Sequence, residues 1–212
     1  MKTIAVIGQK GGTGKTTLTE ILLVEFERAG YTTAGIDLDP QTSLCVWGDA
    51  REDDSPAIIP MQHSRLTQTL KAAKEQGVDV AVIDTAGRAE SAALAAAQAA
   101  DVAIIPVQPT TADLTTVQNT MDLVGMGKTK HSFAVLMRVK AQGSRHTEAA
   151  DALKSMGVKV CPHTIGDRVA YQDAAALGQT PSEYDISSKS ALECKQVYKF
   201  TCKTLGIKDR KK

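Results

Sequence analysis

Two lysines, three glycines and three threonines fall within nine consecutive residues, Gln9-Lys10-Gly11-Gly12-Thr13-Gly14-Lys15-Thr16-Thr17. That composition and spacing suit the holding of phosphate. The backbone N–H groups of a glycine-rich turn point into one small space, and a helix that starts there adds its partial positive charge. Gly14-Lys15-Thr16 matches the end of the pattern G-x-x-x-x-G-K-[ST], which assigns Lys15 to the β/γ-phosphates of a nucleotide and the Thr16 hydroxyl to Mg2+. The match departs at the first glycine of the pattern, where Gln9 stands, followed by Lys10 and the Gly11-Gly12 pair.

A loop of this kind needs a strand to deliver it and a helix to follow it. Both are legible. Ile4 to Ile7 is an apolar run, and from Lys15 to Ala29 the residues Leu18, Leu22, Phe26 and Ala29 form one helical stripe that ends at Gly30. Six further runs read as strands, over 32–37, 57–61, 79–84, 102–107, 132–138 and 158–162, in addition to 3–8. Several are continuously apolar, as expected of strands covered on both faces. Residues 63–76, 90–100 and 189–205 read as helices, and Gly48 to Pro60 as a solvated loop leading into a short strand. The alternation implies an α/β fold of the P-loop NTPase class. It would have a mostly parallel, twisted sheet of about seven strands with helices on both faces, and one domain over residues 1–212. Right-handed crossovers then place the functional loops along the rim at the carboxyl ends of the strands.

Phosphoryl transfer is mostly positioning and charge stabilisation, so carboxylates are needed on the same rim to hold Mg2+ and orient water. Two strands end in that way. One gives Asp37-Leu38-Asp39-Pro40-Gln41, and the other gives Asp84-Thr85-Ala86-Gly87 after the apolar run Val80 to Ile83. Asp37 and Asp84 are therefore candidate metal ligands beside Thr16, and Gly87 lets a backbone N–H approach the γ-phosphate. Alone, either aspartate would equally suit a helix cap or a turn. Their order after the loop favours the site.

The net charge of +1 conceals an asymmetry. Residues 189–212 hold eight basic and two acidic residues, a net +6, which leaves the rest of the chain near −5. In the last helix Ala191, Cys194, Tyr198, Cys202 and Leu205 share one face, while Lys189, Lys195, Lys199 and Lys203 fill the adjoining one. The four cysteines form no C-x-x-C pair, which points to idle thiols in a reducing compartment. The apolar run after Met1-Lys2 is too short for a signal peptide, and no stretch approaches the roughly 20 apolar residues of a membrane span. A cytoplasmic protein is expected.

The combination Lys10 to Thr17, Asp37 to Gln41 and Asp84 to Gly87 resembles the deviant Walker A ATPases of the ParA/MinD group. It looks most like the small ParA proteins of plasmid partition. Pro106-Val107-Gln108-Pro109 with Asp113-Leu114, and Arg168-Val169-Ala170-Tyr171 with Ala174 and Gly178, extend the likeness along the chain. The resemblance implies ATP and Mg2+ as cofactors, with Gly11, Gly12, Thr13, Gly14, Lys15, Thr16 and Thr17 around the phosphates. It makes Lys10 the signature lysine that reaches the partner subunit's phosphates in an ATP-bound homodimer, an arginine-finger role supplied in trans. It makes Asp39 the acid that orients water, and places adenine near Met137-Arg138 and Thr164 to Arg168. It implies nonspecific DNA binding in the ATP state, for which Arg168, Lys195, Lys199 and Lys203 are the candidates. Further implications are a centromere-binding adaptor that stimulates hydrolysis, and a nucleoid-associated location.

Other readings of the same fold carry different marks. A MinD-like membrane-associated ATPase needs an amphipathic end with a larger apolar face than this one, so no stable membrane binding is expected. A nitrogenase-reductase-like enzyme needs cysteines after Asp84, and none stands between Cys45 and Cys161. A tyrosine kinase of the bacterial type would carry a C-terminal tyrosine cluster, where only Tyr184 and Tyr198 occur. A ParA-like ATPase that positions another cargo shares every motif.

Overall fold

The computed structural model of the chain describes residues 1–87, 89–208 and 210. Asp209, Lys211 and Lys212 of the basic end lie outside the described residues. In chain order the elements are β1 (Lys2–Val6), α1 (Lys15–Arg28), β2 (Thr33–Asp37), α2 (Ser43–Asp49), β3 (Ala57–Pro60), α3 (Leu66–Glu75), β4 (Val80–Asp84), α4 (Glu90–Ala99), β5 (Val102–Val107), α5 (Thr111–Met126), β6 (His131–Leu136), α6 (Arg145–Ser155), α7 (Ala170–Ala175), α8 (Pro181–Tyr184) and α9 (Lys189–Leu205). The strands form one parallel sheet in the order β3-β2-β4-β1-β5-β6.

The sheet has six strands, one fewer than the sequence suggests. The expected strand over 158–162 is reduced to a single bridge between Val160 and Ala134. Lys159 O and Cys161 N bond to Ala134, but the next rung comes from Ile165 N to Leu136 O at 2.9 Å, so the chain bulges out between them. Pro162, with its fixed φ and no N–H, sits in that bulge. A helix over Ser43–Asp49, absent from the sequence reading, occupies the region before the solvated loop.

Side chains alternate across the sheet, so successive residues of one strand serve two cores. Ile4 and Val6 of β1 face a core built with α1, α2 and α9, whereas Ala5 and Ile7 face one built with α3, α4 and α5. α1 has little exposed surface: Leu18 to Phe26 are buried without a break. Its Phe26 packs edge-on against Tyr198 of α9, with ring centroids 4.9 Å apart. The predicted inner face of α9 is buried as a whole, and Lys189, Lys195, Lys199 and Lys203 are exposed. Among the described residues, no helix is long and apolar enough to cross a membrane.

Register brings the rim together. Val6 pairs with Asp84 across β1 and β4, and Asp84 with Asp37 across β4 and β2. The two acids therefore leave the sheet side by side, next to the loop that follows β1.

Candidate nucleotide site

The loop leaves β1 pinned by Ile7 N to Ile104 O at 2.9 Å and enters α1 through Leu18 N to Gly14 O at 2.9 Å. Gly12 and Gly14 hold φ values of 75° and 97°, which only glycine adopts at little cost, and Gly14 is the N-cap of α1. Neighbouring turns clasp the loop from both sides. Gln108 Nε2, just beyond β5, donates to Gly12 O at 2.7 Å. Gly87, beyond β4, lies so close that a Cβ there would stand 2.8 Å from Gly11 N.

Lys15 is buried and its ammonium donates to Lys10 O at 3.0 Å, so the loop folds around its own lysine. Burial pulls the Lys15 pKa down, while Asp84 and Asp39 act in the opposite sense. The Thr16 hydroxyl donates to Asp84 Oδ2 at 2.7 Å. Asp84 is 1% exposed, and its Oδ1 has no hydrogen-bond partner among the described residues. Burial raises the Asp84 pKa to about 7, against the Thr16 hydrogen bond and Lys15, with Asp37 and Asp39 pushing it further up. An orphaned buried carboxylate oxygen next to a threonine hydroxyl is a hard, all-oxygen donor set, and it fits Mg2+ completed by phosphate and water.

Asp37 stands beside Asp84, but both its oxygens are taken by backbone. Oδ1 accepts from Asp39 N at 2.9 Å, and Oδ2 from Leu44 N at 3.1 Å and Cys45 N at 3.3 Å. It thereby caps α2 and fixes the loop that carries Asp39. Asp39 is half-buried, and its Oδ1 accepts from Gln41 N at 2.9 Å. Thr13 is buried within the loop, Gly11 and Gly12 are exposed, and Thr17 is half-buried in the first turn of α1.

Lys10 turns the other way, to the β5 side of β1, where its ammonium meets the carboxylate of Asp113. The sequence motif alone does not assign Asp113 this role, although Thr110-x-x-Asp113 signals a helix start there, and Thr110 does cap α5 by accepting from Asp113 N. Arg138 is exposed just past β6 with φ 51°, on the same rim.

The candidate DNA residues divide into two groups. Lys195, Lys199 and Lys203 lie exposed along α9. The Arg168 guanidinium is engaged by Glu193, with Nη2 at 2.7 Å and Nε at 3.1 Å from Oε1. Glu193 Oε2 also accepts from Gly166 N and from the Tyr171 hydroxyl, so this carboxylate ties α9 to the segment before α7. A cavity of about 760 Å3 lies away from the phosphate loop, between the end of α1 and α9.

Comparison with known proteins extends these observations. The model of the CobQ/CobB/MinD/ParA nucleotide binding domain matches residues 4–181. The chain is 27% identical over 187 residues to the protein ParA of Rhizobium radiobacter, covering 84% of each. It is 28% identical over 213 residues to a maintenance of carboxysome distribution protein A of Gloeobacter kilaueensis, covering 99% of this chain and 96% of that one. Among solved structures, the septum site-determining protein MinD of Pyrococcus horikoshii, complexed with Mg-ADP, superposes with a TM-score of 0.80 over 97% of both chains at 21% identity.

Proposed function

The chain belongs to the CobQ/CobB/MinD/ParA nucleotide-binding family, and on that premise we propose that it is a Mg2+-dependent ATPase of the positioning type, which pairs with a second copy when ATP is bound. The observation that carries this reading is the Thr16–Asp84 pair, whose second carboxylate oxygen is unsatisfied among the described residues, set at the mouth of a glycine loop with a buried lysine.

Each residue then has a task. The loop N–H groups from Gly11 to Thr17 and the start of α1 bind the phosphates. Lys15 leaves the Lys10 carbonyl and places its cation on the β/γ-phosphates. Thr16, and Asp84 directly or through water, hold Mg2+, which supplies charge neutralisation at the phosphoryl oxygens. Asp37 positions rather than ligates, since its oxygens already serve the backbone around Asp39. Asp39 orients the attacking water: its other oxygen takes no hydrogen bond among the described residues. Lys10 supplies a second cation to the partner's nucleotide. Arg138 lies where adenine would rest on the rim.

The cation face of α9 supports nonspecific DNA binding through Lys195, Lys199 and Lys203, doubled in a dimer. Arg168 contributes there through Glu193, by fixing the start of the neighbouring segment. Hydrolysis stimulated by a centromere-binding adaptor would complete a DNA-partition cycle on the nucleoid. A second reading, the positioning of another cargo such as a protein microcompartment, is favoured by similarity to a carboxysome distribution protein over nearly the whole chain. A MinD-like membrane role has less support, because the apolar face of α9 is turned into the core.

The deciding experiment is a DNA titration with ATP, ADP and no nucleotide, at two salt concentrations. It is run on the wild type, on Lys10→Ala and on Lys195→Ala/Lys199→Ala/Lys203→Ala. Binding should require ATP, fall steeply with salt and lose slope in the triple variant. Equal binding in every nucleotide state would refute the switch, and binding to anionic vesicles without DNA binding would move the assignment to a membrane role. Normal ATP hydrolysis by Asp39→Ala would overturn the role given to that acid.

A further inference from the structure

Lys10 and Asp113 are 103 residues apart in sequence, yet their charged groups are in direct contact. The two ends of this pair differ in their surroundings. Lys10 is 41% exposed at the side chain, and Asp113 is 2% exposed. The carboxylate is locked in place: Oδ2 accepts from Gln108 N at 2.9 Å, and Oδ1 also faces the Thr110 hydroxyl at 3.3 Å. Its backbone N–H is in turn held by Thr110 Oγ1 at 3.2 Å. Asp113 is thus a rigid, buried anion built into the first turn of α5, and Lys10 is the part-exposed cation that neutralises it. Removing the cation would leave a buried charge uncompensated, which is costly.

Topology gives the contact a direction. β1 lies between β4 and β5 in the sheet, so the acids of the metal site stand on one side of the loop and Asp113 on the other. A Lys10 held by Asp113 is turned away from Asp84 and Asp39 of its own subunit. The same turn grips the loop backbone at Gly12, so loop and lysine are restrained together.

We propose that Asp113 is a positioning residue that holds Lys10 in the lone subunit, and that ATP-dependent pairing of two subunits requires the lysine to leave it. The proposal rests on the reading of Lys10 as a cation supplied to the partner's nucleotide. A latched subunit cannot contribute its lysine, so its apparent affinity for a partner is lowered by the fraction of time that the latch is open. If this contact, screened by the 41% exposure of Lys10 to no more than an ordinary net hydrogen bond, keeps the latch closed by a factor of about five to ten, two latches per dimer weaken association by about 25- to 100-fold.

The test is the dimer dissociation constant, measured by sedimentation in a non-hydrolysable ATP analogue with Mg2+, for the wild type, Asp113→Asn and Lys10→Ala. Asparagine keeps an acceptor for Gln108 N and removes the charge that holds the lysine. Asp113→Asn should dimerise about 25- to 100-fold more tightly than the wild type, a gain that structural damage would not produce. An unchanged or weaker dimer in Asp113→Asn, with Lys10→Ala defective in pairing and hydrolysis, would overturn the latch and leave the role of Lys10 standing. Pairing and hydrolysis at wild-type levels in Lys10→Ala would instead overturn that role, and the latch with it. A second measurement needs no variant: the acylation rate of Lys10 in the nucleotide-free wild type should be several-fold below that of Lys199, and equal rates would overturn the proposal.

Discussion

Gly87 offers a direct test of how the phosphate loop is supported. Replacing it with alanine would put a methyl carbon 2.8 Å from Gly11 N, 3.0 Å from the Lys10 carbonyl carbon and 3.1 Å from the Gly11 Cα. Comfortable contacts of a methyl group lie near 3.5–4.0 Å, so one of the two backbones must retreat by about 0.5–1 Å. The β4 side is held, because the Thr85 hydroxyl, two residues earlier, donates to Val6 O at 2.9 Å within the buried sheet. The loop therefore yields. Overpacking of this kind costs about 1–3 kcal/mol, and if the strain falls on the phosphate cradle, ATP affinity drops by about fivefold to a hundredfold. Equilibrium titration with a fluorescent ATP analogue would read this, with a thermal melt to confirm folding. Affinity within twofold of the wild type would show that the loop does not need the close approach of Gly87.

Three further outcomes follow from particular residues. Glu20 is buried in α1, and desolvation, with a smaller push from Asp84, raises its pKa from 4.5 to about 8. The folded chain then keeps a proton that the unfolded chain releases. This contribution to stability is complete below about pH 4.5 and is lost as pH climbs to about 8, at up to about 1.4 kcal/mol per pH unit. Glu20→Gln cannot ionise, so in nucleotide-free melts it should match the wild type near pH 4 and exceed it at pH 8; parallel profiles would contradict the assignment. Glu193→Gln should destabilise the fold by about 1–3 kcal/mol, because the half-buried Arg168 loses its charge partner, and an unchanged denaturation midpoint would count against the Glu193 tie. Gly125→Ala, in exposed α5 with nothing within 4 Å of the added Cβ, should stabilise by about 0.5–1 kcal/mol. A loss of stability there would point to a contact of that helix face not seen in the isolated chain.

What the sequence reveals and what it hides divide along physical lines. The strands with buried faces on both sides, β4 and β5 among them, announce themselves as unbroken apolar runs, and the phosphate loop, Thr16 and Asp84 follow from spacing alone. The supposed strand at 158–162 shows the limit of that signal. Val158 and Val160 have the right alternation, but the chain bulges at Pro162 and only one bridge forms. α2 escapes because seven residues are too few to show a period, and its cap is Asp37, supplied from the preceding strand end. Arg168 reads as a free cation in one dimension, and its engagement with Glu193 needs the third. The Lys10–Asp113 contact is of the same kind: each residue is visible, while their meeting depends on β1 and β5 being neighbours.

That neighbourhood also sets an order of events at synthesis. β1 leaves the ribosome before either of its neighbours, and it is one of the two central strands of the sheet. Its two partners begin only at Val80 and Val102. Until β5 has emerged, the segment that carries the phosphate loop has one flank without a ladder and no Gln108 to grip Gly12. A nascent chain stopped at Asp101 is therefore expected to hold no nucleotide, although every residue of the loop has already been made. The phosphate loop, made before either partner strand of β1, is among the last features to become functional.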